Sequence, residues 1–94
     1  MSYSLKFKEE ALREWRKLDS SLRGRFKTKL AERLQKPRVP AAKLSGQKDR
    51  FKIKLRNAGY RLVYEVRDAE IVVVVVAIGR RERNAVYKAA AKRV

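Results

Sequence analysis

Lys52, Lys54, Arg56 and Arg61 lie in a stretch whose residue types and spacing suggest chemistry on an anion. Over residues 51–66, apolar and charged side chains alternate strictly on either side of Asn57-Ala58-Gly59, the pattern of a half-buried β-hairpin. An even-length turn pairs residues of opposite parity. Phe51, Ile53, Leu55, Tyr60, Leu62 and Tyr64 therefore share one face, and Lys52, Lys54, Arg56 and Arg61 share the other. Like charges opposed across strands are destabilising, so a fold that keeps them together is either well hydrated there or built to meet an anion.

Composition points to the same kind of partner. With 26 Lys and Arg against 10 Asp and Glu, the formal net charge is +16, and the sequence pI of about 10.9 is typical of a nucleic-acid ligand. A nuclease is the first enzymatic idea for so basic a chain. Histidine, the commonest general acid and base, is absent. Glu9, Glu10, Glu14, Asp19, Glu32, Asp49, Glu65, Asp68, Glu70 and Glu82 are scattered, with no Asp-x-Asp or Glu-x-x-His arrangement, which argues against a two-metal site. What remains is a metal-free mechanism run by lysine, arginine and tyrosine. That suits attack of an RNA 2′-hydroxyl on its neighbouring phosphate, which chiefly needs charge stabilisation and proton transfer. A lysine serves there near neutral pH only if its pKa is lowered, and the neighbouring cations of Lys52, Lys54 and Arg61 would lower it.

Each of these residues also has a plain structural reading. Alternating Lys and Arg on a strand describe a solvated face equally well, and composition alone favours that reading. Arg80, Arg81 and Arg83 follow Gly79 at the start of a helical pattern. Cations there oppose the helix dipole, which favours an anion held nearby, although exposed arginines tolerate the position. Tyr87 on a small amphipathic helix is ordinarily a boundary aromatic.

The elements that must position these residues follow from periodicity. Tyr3, Leu5 and Phe7 alternate with polar residues, which predicts a first strand with one buried face. Ala11, Leu12, Trp15 and Leu18 fall at helical spacing. Asp19-Ser20-Ser21 supplies a cap, and Leu22, Phe26, Leu30 and Leu34 carry a second helix to about Gln35. Pro37 and Pro40 end it, and residues 36–49 read as a loop with a brief extended piece at Lys43 and Leu44. After the hairpin, residues 71–78 are an unbroken, valine-rich apolar run, predicting a central strand covered on both faces and ended by Gly79. Ala85, Val86, Ala89 and Ala90 then give a short terminal helix.

The reading is therefore one α+β domain over residues 1–94, in the order β-α-α-β-β-β-α, with a helical hairpin packed on a mainly antiparallel four-stranded sheet. No apolar run reaches the ~18 residues of a spanning helix. The absence of cysteine and of a signal-peptide pattern at the N-terminus points to the cytoplasm.

Over nearly its whole length the chain resembles the RelE toxins of bacterial toxin-antitoxin systems, within the RelE/ParE superfamily. The likeness is carried by Leu12-Arg13-Glu14-Trp15-Arg16-Lys17-Leu18, by Phe51-Lys52-Ile53-Lys54-Leu55-Arg56, by Gly59-Tyr60-Arg61-Leu62-Val63-Tyr64, and by Gly79-Arg80-Arg81-Glu82-Arg83 with Val86-Tyr87. The resemblance implies a ribosome-dependent endoribonuclease that cuts mRNA in the ribosomal A site, beside 16S rRNA, and leaves a 2′,3′-cyclic phosphate. It also implies a RelB-like antitoxin, with operator DNA bound only through the toxin-antitoxin complex, and no metal or cofactor. The family's catalytic positions match Lys52, Lys54, Arg61, Arg81 and Tyr87, and Arg56, Arg80 and Arg83 are placed as RNA-binding. By that pattern Lys54, with Lys52, handles proton transfer and phosphate charge. Arg61 stabilises the pentavalent transition state, Arg81 assists the leaving group and Tyr87 orients the nucleotide. The loop at 47–50 and the run of valines at 73–76 depart from the family pattern. Two alternatives stand beside this reading: a non-catalytic RNA- or ribosome-binding protein, and a toxin of the same fold acting on gyrase, whose ParE-like relatives lack such a basic cluster. The geometric expectation is that all five catalytic side chains converge on one concave site.

Overall fold

The computed structural model describes residues 2–93, so Met1, at the head of the alternating N-terminal segment, lies outside it. The chain runs through β1 (Ser4–Phe7), α1 (Glu9–Lys17), α2 (Ser20–Gln35), β2 (Arg50–Leu55), β3 (Tyr60–Arg67), β4 (Val72–Arg80) and α3 (Ala85–Lys92), the order expected from the sequence. The Asp19 carboxylate caps α2 by accepting the Leu22 N–H at 2.8 Å. Single turns of 3-10 helix at Pro40–Ala42 and Asp68–Glu70 interrupt the connections. Lys43 forms the anticipated brief extended piece, as an antiparallel bridge to Phe51.

The four strands lie in the order β1-β4-β3-β2. β2, β3 and β4 are mutually antiparallel, and β1 joins β4 in parallel. One face carries Phe51, Ile53, Leu55, Leu62, Tyr64, Val73, Val75 and Ile78, which pack with Ala11, Phe26 and Leu30 of the helical hairpin. The other face carries Val63, Val76 and Ala77 beneath Val86 and Ala90 of α3. The domain is thus a three-layer sandwich in which α3 lies opposite α1 and α2. This explains why β4 needs no polar alternation: both of its faces are covered.

β2 starts at Arg50, Arg56 lies in the turn after it and β3 runs on to Arg67, and three further positions depart from the sequence reading. Leu5 is 37% exposed, because β1 is an edge strand and only Tyr3 and Phe7 of its alternating set are packed against the core. Ile71 precedes β4 in a left-handed conformation (φ 53°), leaves the 3-10 turn there and is exposed. Gly79 does not end β4, which runs to Arg80, since the glycine pairs with Arg61 under Val86 of α3.

Tyr64 ties the layers together. Its buried hydroxyl donates to the Pro37 carbonyl at 2.6 Å and accepts from Arg33 Nη1 at 2.9 Å. Arg33 also donates to the Lys52 carbonyl at 3.1 Å, so α2 holds the outer edge of β2. Tyr64→Phe leaves the Pro37 carbonyl without this partner in a buried place. It is expected to lower the unfolding free energy by roughly 1–3 kcal/mol, read as a lower urea midpoint at unchanged m-value.

Candidate active site

The site begins with a fault in the sheet. Between Val63 and Tyr64 the β3–β4 register slips: Tyr64 pairs with Val75 but Val63 with Ala77, so Val76 is an extra residue in β4. Before this bulge the odd-numbered Val73 and Val75 face the helical hairpin. After it the parity is reversed, with Ile78 facing the hairpin and Ala77 facing α3. Gly79 consequently lies opposite Arg61, and Arg61 lies opposite Lys54 on β2. The Arg81 N–H donates to the Gly59 carbonyl at 2.8 Å, which fastens the end of β4 to the β2–β3 turn.

This row brings the cations together on the α3 side of the sheet. The Lys54 ammonium is pushed below its ordinary value first by the charge of Lys52, then by burial, then by Arg56, Arg61 and Arg81. Three of the other four expected catalytic residues, Lys52, Arg61 and Arg81, together with Arg56, therefore bear on Lys54. Arg61 is only 5% exposed, and among the described residues its guanidinium has a single hydrogen bond, to the Tyr60 carbonyl at 3.1 Å. Among the described residues none of Lys52, Lys54, Arg56, Arg61 or Arg81 forms an ion pair. Elsewhere carboxylates are matched to cations: Glu9 to Arg13, Asp49 and Asp68 to Arg38, Glu65 to Arg50 and Arg67, and Glu14 to Arg93. A cluster of like charges, one of them buried, that lacks counter-ions is arranged to receive an anion. Its donors could neutralise a phosphate as charge accumulates on it.

Tyr87 joins this face from α3. It is half-buried against the Val63, Ala77 and Val86 cluster, and its hydroxyl makes no hydrogen bond among the described residues. The three residues placed as RNA-binding separate. Arg56 stays with Lys54. Arg80 points to the opposite face, its guanidinium 5.6 Å from the centre of the Tyr60 ring. Arg83 is exposed in the turn into α3, where it and Asn84 both take left-handed backbone conformations (φ 47° and 58°).

The concave surface lies partly elsewhere than expected. A groove of about 410 Å³ runs from Lys54, Arg56 and Asn57 to Arg25, Thr28 and Lys29 of α2. A second, of about 250 Å³, joins Lys52, Lys54 and Arg56 to Arg33 and Val39. Lys54 and Arg56 line both grooves, whereas Arg61, Arg81 and Tyr87 line neither. Sequence reasoning missed Arg25, Lys29 and Arg33. The signal was present, since they recur every fourth residue beside the apolar column of Phe26, Leu30 and Leu34 and so form a cationic ridge next to the buried stripe. No group of three or more His, Cys, Asp or Glu side chains could hold a metal ion among the described residues. Nor, among them, is any helix long and apolar enough to cross a membrane.

A small mixed-sheet domain with a row of cations that form no ion pair among the described residues is a basic, anion-seeking protein. A family model described as the ParE toxin of the type II toxin-antitoxin system parDE matches residues 5–85. The chain belongs to this RelE/ParE family of toxins. It is 54% identical over 94 residues to the mRNA interferase toxin RelE of Escherichia coli K12, covering 100% of this chain and 99% of that protein. The free E. coli toxin RelE carrying R81A and R83A superposes with a TM-score of 0.92 at 52% identity, covering 100% of this chain and 99% of the other. RelE in the intact E. coli RelBE toxin-antitoxin complex gives a TM-score of 0.84 at 54% identity, covering 87% of this chain and 100% of that one.

The electrostatics of Lys54 set a sign for stability. Its folded pKa lies below the unfolded one, so between the two the unfolded chain holds more protons and stability rises with pH. Lys54→Met removes that repulsion. The variant is expected to melt above the wild type at neutral pH, with the gap narrowing in high salt and above the ordinary lysine range. In ¹³C-detected titration, Lys52→Met should return the Lys54 midpoint toward its ordinary value, because Lys52 is the largest cause of the shift.

Proposed function

We propose that this chain is the toxin of a type II toxin-antitoxin pair, an mRNA interferase that cuts mRNA in the ribosomal A site without a metal. The observation that carries the reading is the unpaired cluster of Lys52, Lys54, Arg56, Arg61 and Arg81 on one side of the sheet. The reading is supported by the 54% identity to a protein named as an mRNA interferase toxin.

The chemistry follows from the charges. The 2′-oxygen of the target ribose loses its proton and forms a bond to the adjacent phosphorus. The bond from phosphorus to the 5′-oxygen of the next nucleotide breaks, and that oxygen takes up a proton. A 2′,3′-cyclic phosphate and a 5′-hydroxyl result. Lys54, with its lowered pKa, and Lys52 manage the proton and the phosphate charge. Arg61 is held by burial and by the Tyr60 carbonyl. This rigid donor meets the charge of the pentavalent phosphorus. Arg81, fixed through its backbone to Gly59, assists the leaving group. Tyr87 supplies a ring and a free hydroxyl to orient the nucleotide. Arg56 and the grooves toward α2 carry the flanking phosphates. The positive surface also suits an acidic RelB-like antitoxin, the kind of partner RelE has in the E. coli RelBE complex.

The test is induction in a translating extract with mapping of mRNA 5′ ends. Wild-type protein should produce cuts within codons at the A site. Lys54→Ala and Arg81→Ala should each lower the cleavage rate by about a hundredfold or more. Ribosome binding with intact mRNA would instead support a non-catalytic RNA-binding protein. Inhibition of DNA supercoiling with intact mRNA would support an action on gyrase.

A further inference from the structure

We propose that Gln47 and Arg50 are positioning residues that grip the carbonyl groups of α3 and thereby set Tyr87 against the cationic row. The inference rests on the reading of Tyr87 as the residue that orients the nucleotide. Its basis is a hydrogen-bond hub in the loop and strand start that depart from the family pattern.

Arg50 is 5% exposed, and every nitrogen of its guanidinium is engaged. Nε donates to Glu65 Oε1 at 3.0 Å. Nη1 donates to Gln47 Oε1 at 3.2 Å and to the Ala90 carbonyl, and Nη2 donates to the Arg93 carbonyl at 2.6 Å. Gln47 turns its other end to α3, with Nε2 donating to the carbonyl of Tyr87 itself at 3.2 Å. One side-chain pair thus holds two carbonyls of α3, those of Tyr87 and Ala90, and that of its C-cap Arg93, at the end where a cation complements the helix dipole.

The grip has a physical purpose. α3 has eight residues, fewer than the ~12 that an isolated helix needs for even marginal stability. It buries Val86 and Ala90, and apolar contact of this kind is non-directional, so by itself it leaves the helix free in position along the sheet. Polar bonds of fixed length remove that freedom. A second clamp acts farther along, where Arg93 binds Glu14 at 2.8 and 3.1 Å and the Val76 carbonyl at 3.0 Å. Arg50 differs from Arg93 in its location. It shares β2 and its outward parity with Lys52 and Lys54, so the strand that carries the cations also carries the anchor for the helix that carries Tyr87. Glu65 keeps the anchor in place. Burial alone would raise its carboxyl pKa, but hydrogen bonds from Arg67 and Arg50 hold it below the ordinary value, so it remains an anion facing Arg50.

Gln47→Leu removes the bond to Tyr87 at similar volume, and Arg50→Met removes the bonds to the end of α3. Single-turnover cleavage of mRNA on programmed ribosomes should show kcat reduced about tenfold in each, with KM within about twofold, the signature of a misplaced group and not of weaker binding. In the Tyr87→Ala background neither change should cost further activity, because both act through Tyr87. Hydrogen exchange should show faster amide exchange confined to residues 85–93. Wild-type kcat in Gln47→Leu and Arg50→Met, or losses that add to that of Tyr87→Ala, would overturn the inference. Wild-type cutting by Tyr87→Ala would overturn it through the role of Tyr87, while absence of cutting by the wild type would mark failure of the nuclease reading itself. Global unfolding of Arg50→Met would still leave Gln47→Leu, at a partly exposed loop position, to decide.

Discussion

The one-residue bulge at Val76 is the constraint on which the rest of the site depends. A strand alternates its side chains without exception, so residues separated by an even number share a face unless the ladder slips. The apolar half of β4 needs its odd residues on the helical-hairpin side, to meet Phe26 and Leu30. The row that crosses the sheet through Lys54 and Arg61 needs the odd Gly79 on the other side. Both requirements are met only by inserting one residue, and the insertion lies at the junction of core and site. A bulge re-aims the residues beyond it, in this strand Arg80 and then Arg81. Arg80 turns to Tyr60 on the hairpin side, while Arg81 contributes its charge to Lys54.

The same economy governs the carboxylates. Asp49, Asp68, Glu65 and Glu14 pair with arginines that hold elements in place: Arg38 across the loops, Arg50 on β2, and Arg93 to α1. The row around Lys54 receives none, and its mutual repulsion is tolerated by a sheet whose other face is well packed. Sites that bind highly charged ligands commonly hold such unfavourable charge in the free state, and stability is supplied by the surrounding core. Lys54 and Arg61 differ within that arrangement. Lys54 is exposed and its ammonium is pushed below its ordinary value, whereas Arg61 is a buried guanidinium, which separates a proton-handling role from a purely electrostatic one.

How much of this was legible in the sequence depends on where periodicity survives. The hairpin was legible because Lys52, Lys54 and Arg61 alternate with apolar partners across an even turn, and the structure pairs Lys54 with Arg61 in keeping with that parity, although β2 starts at Arg50 and Arg56 falls in the turn. Helices α1 and α2 were equally plain from their apolar spacing and the Asp19 cap. The bulge was invisible. In an unbroken run of valines every residue suits either face, so a slip of one leaves no trace in composition. For the same reason neither the face chosen by α3 nor the separation of Arg80 from Arg81 could be derived. Arg25, Lys29 and Arg33 were legible in principle, but a helix read for its apolar column hides the charged column beside it.

The loop at 47–50 is the other place where pattern gave no guidance, and its contacts show why. Loops are constrained by the backbone groups they satisfy more than by the character of their own side chains. Gln47 and Arg50 satisfy carbonyls forty or more positions away in sequence, in a helix too short to specify its own position. Such a contact has no local signature, because neither partner shows any periodicity that the other completes. The contact nevertheless answers a physical demand, since buried donors without acceptors cost free energy and Arg50 engages every nitrogen of its guanidinium. Once Glu65 fixes Nε, the remaining donors point toward α3, and the closing helix takes up the position that supplies the carbonyls. The geometry of the active face is therefore set from both ends, by a backbone slip in β4 that aims Arg81 and by a side-chain hub on β2 that fixes the helix bearing Tyr87.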